Sequence, residues 1–184
     1  MQTNQGQPSD FRKNIRMTMM LAQCISLVFA AILRIPGTTG SHLFRGHAAI
    51  GLLILFLAAT LTHSPGLFLL FFASLVMMVL HKIIGAIRRQ KGYMAHSGYV
   101  GLSWFGWRAN NYAAIRFGEP LIVFVFGLIL HQHESAAVGS FLIVGAISLF
   151  LDCAWMAAAD AAEARAVTDS RISQQYLMER VRQG

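Results

Sequence analysis

Five apolar runs limit what this chain can become. They cover about residues 17–33, 47–62, 67–87, 112–130 and 136–159, and no polar stretch between the first and the last is long enough for a second folded unit. A helix needs about 20 predominantly apolar residues to cross the hydrocarbon of a bilayer. Runs of this length predict an all-α, polytopic membrane bundle. Hydrophobic residues make up 55% and charged residues 12% of the chain, where a soluble domain carries about a quarter charged. The expected organisation is a polar tail over 1–12, a transmembrane bundle over 13–159 and a cytoplasmic helical tail over 160–184.

The first run is the ambiguous one. Its 17 residues barely span, and Pro36-Gly37 follows closely, so it is either a fifth span or an interfacial or re-entrant segment. With Arg12, Lys13 and Arg16 before it and Val28-Phe29-Ala30 inside it, it also has the form of a signal peptide. Retention is expected, because no exported domain follows. Runs two and three are joined only through His63-Ser64-Pro65-Gly66. So short a link forces an antiparallel hairpin.

Charge sets the expected orientation. The connections 62–66 and 131–135 contain no lysine or arginine, whereas Lys82, Arg88, Arg89, Lys91, Arg108, Arg116, Arg165, Arg171, Arg180 and Arg182 lie at the end of the third run, in or just beyond the loop after it, or in the tail after the fifth. Positive residues stay on the cytoplasmic side. That places loop 88–111, the link with Arg34 and Arg45, and the C-terminus on the cytoplasmic side of the inner membrane. The first run then conflicts with the rule, since a span there puts Arg12, Lys13 and Arg16 outside. The formal charge of +7 is explained by topology and headgroups, and no nucleic acid is expected as a partner.

With directions assigned, the 1.5 Å rise per residue places polar groups in depth. His81, Lys82, Arg116, Glu119 and Asp152 fall together toward the cytoplasmic side. An intramembrane acid is costly without a partner. The expectation is a packing cluster in which Glu119 pairs with Arg116 one turn away and Asp152 meets Lys82, His81 or Arg116. The alternative is a polar path of a transporter or channel subunit.

No catalytic constellation emerges. Cys24 and Cys153 lie inside apolar runs without metal spacing, the serines lack a GxSxG setting, and Gly98-Tyr99-Val100-Gly101 lacks the Lys-Ser/Thr ending of a phosphate loop. The histidines form two groups, His42, His47 and His81 toward one end, and His63, His131 and His133 toward the other. Two b-type haems with ligands among His47, His81, His63 and His131 are a third reading. Interfacial histidines bonding to headgroups or backbone are the simpler expectation, with no cofactor and no metal.

Two surfaces stand out for docking. The loop carrying Arg88, Arg89, Lys91, Tyr93, His96, Tyr99, Trp104 and Trp107 mixes basic and aromatic residues as a headgroup-level segment does. The tail places Ile172 with Tyr176, and Leu177 with Val181, at helical spacing. The expectation is a non-enzymatic scaffold or accessory subunit of an inner-membrane assembly, with the bilayer, other membrane subunits or a second copy as partners.

Overall fold

The computed structural model describes residues 7–39, 46–92, 101–105, 114–133 and 135–183. Among the described residues, five α-helices follow one another: α1 (Gln7–Leu33), α2 (Gly46–Thr62), α3 (Pro65–Gln90), α4 (Glu119–His133) and α5 (Ala136–Gln183). A π-helical turn, Ala114–Gly118, leads into α4. The described residues hold no strand, only one isolated bridge between Arg34 and Ser103. The all-α expectation holds.

Among the described residues, four stretches are long and apolar enough to cross a membrane: Lys13–Leu33, Pro65–Gln90, Ala114–His133 and Ala136–Tyr176. This changes the reading of the first two runs. α1 does not begin where its apolar run begins. It starts ten residues earlier at Gln7, with Pro8 at a position where proline is tolerated, so the expected polar tail is helical from Gln7 onward. α2 is instead the short one, 17 residues or roughly 25 Å.

The chain forms two compact units, Met1–Asp152 and Cys153–Gly184. In the first, α1 is the central element. Cys24, Ser26, Leu27, Val28, Phe29, Ala30 and Ala31 are none more than 2% exposed. Residues so close in sequence sweep every direction around a helix, so α1 is enclosed on all sides there. The possible signal-cleavage residues Val28, Phe29 and Ala30 thus lie in the core.

Each neighbour meets α1 through a distinct set of side chains. α2 turns Ala48, Gly51, Leu55 and Ala59 inward. A Cβ on Gly51 would lie 2.0 Å from the Cys24 carbonyl oxygen, so the two backbones touch as they do where small residues line a helix interface. Met78 of α3 packs with Leu27, Ala30, Ala31 and Ala48. Phe29 packs with Val123 of α4 and with Ala146 and Leu149 of α5.

The outside of this unit is apolar too. Leu53 and Leu57 on α2, Phe72, Val76 and Val79 on α3, and Val125, Phe126 and Ile129 on α4 are all exposed. Side chains of this kind, apolar on both the inner and outer faces, suit a bundle whose solvent is hydrocarbon. The α2–α3 link takes two residues. His63 adopts φ 48°, a left-handed helix stop, and the Ser64 N–H reaches back to the Ala59 carbonyl at 3.3 Å.

The second unit is the distal part of α5. From Ala158 through Tyr176 every side chain is exposed.

Candidate functional site

The polar groups of the first unit gather where α1 ends. The last carbonyls of a helix have no partner within it, and here a folded-back chain supplies them. The Trp104 N–H donates to the Leu33 carbonyl (3.2 Å) and the Ile35 N–H to the Leu102 carbonyl (2.8 Å). Thr38 ties the segments together, its hydroxyl donating to the Ile35 carbonyl (2.7 Å) and accepting from the Leu102 N–H (3.0 Å). Gly37 is required in this turn. Its φ is +75°, and a Cβ would lie 2.4 Å from the Ile84 side chain.

His81 closes the same end from α3. Its Nδ1 accepts from the Gly37 N–H (3.3 Å) and lies 3.1 Å from the Thr39 hydroxyl, while Nε2 lies 3.1 Å from the Ala31 carbonyl. A backbone N–H can only donate and a carbonyl can only accept. The ring is therefore the neutral Nε2–H tautomer, with both nitrogens engaged. Arg88, about two turns further along the same face of α3, donates to the Gly37 carbonyl at 3.4 Å.

Glu119 opens α4 and is fully buried, as is Pro120 beside it. An acid suits a helix N-terminus, where N–H groups converge. Its partner is Arg34, with Nε 3.7 Å from Oε2 and side chains 2% and 0% exposed. Ser103, on the strand-like segment bridged to Arg34, borders the same carboxylate. Asp152 of α5 lies deeper in the core, its Oδ2 2.8 Å from the Ser26 hydroxyl of α1. The Arg34 charge also acts on Asp152 and His81.

The expected cluster is thus regrouped. His81, Glu119 and Asp152 are buried in the bundle, but their partners are Thr39, Arg34, Ser103 and Ser26. Lys82 is exposed, because one helical step turns it about 100° away from His81. Arg116 does not pair with Glu119. The π turn winds more residues per turn than an α-helix, so 116 and 119 no longer stack, and the Arg116 guanidinium lies over the Phe117 ring, 5.3 Å from its centroid.

Of the other candidates, His47 is half-buried and His63 and His131 are exposed. His131 Nδ1 contacts the Ala136 carbonyl and the Ser140 hydroxyl, 3.3 and 3.2 Å away. No group of three or more metal-ligating side chains occurs among the described residues. In the basic aromatic loop, Arg89, Lys91 and Trp104 are exposed, while Tyr93, His96, Tyr99 and Trp107 lie outside the described residues. Ile172 and Tyr176 are exposed on α5, and the side chains of Leu177 and Val181 are outside the described set.

The chain matches no known protein family, no characterised protein and no solved structure. Geometry alone bears on its role. Every buried arginine, histidine and acid among the described residues (Arg34, His81, Glu119 and Asp152) makes contacts that join one element to another. Such an arrangement can fix helix order and hold a crossover in place.

The residues missed from sequence were Arg34 and Ser26, both on or beside α1. A depth signal existed. Arg34 directly follows the first run, and Glu119 lies near the start of the fourth, both toward the cytoplasmic side. Doubt over whether the first run crosses removed its residues from the depth comparison.

Proposed function

We propose that this protein is a non-enzymatic accessory or scaffold subunit of an inner-membrane assembly. Its bundle lies in the bilayer, and the distal part of α5 reaches into the cytoplasm to meet another subunit. One observation carries this reading: α5 runs unbroken from Ala136 to Gln183, and its side chains are exposed from Ala158 through Tyr176. Isolated helices draw most of their stability in proteins from packing. A bare helix with Val167, Ile172, Tyr176 and Met178 exposed is suited to packing on a partner.

Charge supports the orientation. Arg88, Arg89, Lys91 and Arg116 lie at the Arg34 end of the bundle, whereas the 63–64 and 134–135 links carry no lysine or arginine. Single cysteines at Ser173 and at Ser135, probed in intact cells with a membrane-impermeant thiol reagent, test it. Ser135→Cys is expected to label and Ser173→Cys only after lysis, and the reverse pattern inverts the topology.

The subunit reading is tested by native electrophoresis after mild-detergent extraction. A species much larger than 20.3 kDa plus its micelle is expected, collapsing to the single chain in an Ile172→Asp/Tyr176→Asp variant. A wild-type protein that is already a lone monomer removes the proposal.

A further inference from the structure

α4 and α5 do not close on each other at their Arg34 end. A groove of about 410 Å³ runs between them, walled by Phe117, Leu121 and Phe124 on one side and Ala146, Ile147 and Phe150 on the other. Every described side chain that lines it is apolar. From Phe117 to Phe124 the groove extends roughly 10 Å along the helix. The Arg116 guanidinium lies over the Phe117 ring that begins the wall, 5.3 Å from its centroid.

The acids nearest in sequence do not oppose an anion there. Glu119 and Asp152 are 0% and 6% exposed, the first paired with Arg34 and the second bonded to Ser26. The groove therefore offers a cation at one end and hydrocarbon along its length. That is the complement of an amphiphile with an anionic head.

The geometry points to a lipid site: the groove holds one acyl chain of an anionic phospholipid, with Arg116 meeting its phosphate. The inference rests on the reading of the bundle as membrane-embedded. Arginine matches phosphate with several charge-assisted N–H donors, and a chain seated in a fixed groove is held more tightly than one in the bulk bilayer.

Native mass spectrometry of the full chain in mild detergent, titrated with phosphatidylglycerol or with phosphatidylcholine, tests it. The wild type is expected to retain one phosphatidylglycerol per chain and about tenfold less phosphatidylcholine, whose choline cation offsets the phosphate charge that Arg116 meets. Arg116→Gln removes the preference between the lipids. Ile147→Trp fills the groove from an exposed position and lowers retention of both. Phe72→Trp, on the exposed face of α3, changes nothing.

Equal retention of the two lipids by the wild type, or retention unaffected by Ile147→Trp, overturns the proposal. So does an Ile147→Trp variant that splits a dimer and leaves lipid retention unchanged, because the groove is then a contact between copies. Release from membranes by alkaline carbonate removes the membrane reading together with this one. An integral protein that retains no phosphatidylglycerol removes this inference alone.

Discussion

α1 and the distal part of α5 are both uninterrupted helices, and they are opposites in how they are held. Around Cys24–Ala31, α1 has no exposed side, while from Ala158 to Tyr176 α5 has no buried one. Neither is the amphipathic helix of a soluble domain, which buries one stripe. α1 is stabilised by its neighbours, through small residues that let backbones touch and through buried polar contacts at its end. The described side chains of the tail from Ala158 to Tyr176 are exposed, apolar ones among them. Substitutions in α1 should therefore act on folding, and substitutions in the tail on association.

The largest effect should come from splitting the Arg34–Glu119 pair. Arg34→Met or Glu119→Leu alone leaves an uncompensated buried charge and should cost about 3–5 kcal/mol of stability. The double variant should recover most of that loss. Thermal unfolding in detergent, followed by circular dichroism, measures both. Single variants as stable as the wild type would mean that α1 is not anchored at this end.

A smaller loss is expected where backbones touch. Gly51→Val drives a side chain into the Cys24 carbonyl and should destabilise by about 1–3 kcal/mol, read in the same melt. Gly85→Val on α3, where an added Cβ meets nothing within 4 Å, should cost much less and sharpens the contrast between enclosed and open helix faces.

Ser26→Ala comes next. It removes the hydroxyl that meets Asp152 and should cost about 1–3 kcal/mol, the penalty of an orphaned buried polar group. If Asp152→Asn, which keeps hydrogen-bonding capacity, loses more than Ser26→Ala, then a charge at Asp152 matters more than the bond.

The smallest effect on folding is expected in the tail. Ile172→Asp with Tyr176→Asp should leave the melting temperature within the range of ordinary surface changes, about 0.5 kcal/mol, while abolishing the large species on native gels. A tail variant that unfolds the bundle would erase the distinction between the two regions.

Much of this was decided by the sequence alone. Apolar runs free of strand-like alternation made the chain helical and suited to hydrocarbon, and the absence of glycine or proline from Ala146 to Gln183 made α5 one long helix. The choice of His81, Glu119 and Asp152 as interior polar residues was also legible, because ionisable groups in apolar runs must find partners. Their partners were not. Whether α1 is central or peripheral depends on residues far apart in sequence, Gly51, Met78, Val123 and Ala146, arriving around it together. Only that packing brings Arg34 to Glu119 and Ser26 to Asp152. Spacing along one helix pointed to Arg116 instead, and a π turn rotated it out of reach. Sequence specifies which groups cannot remain alone in an apolar interior, whereas tertiary structure decides which of them meet, because pairing is set by the depth and facing of helices that no single segment encodes.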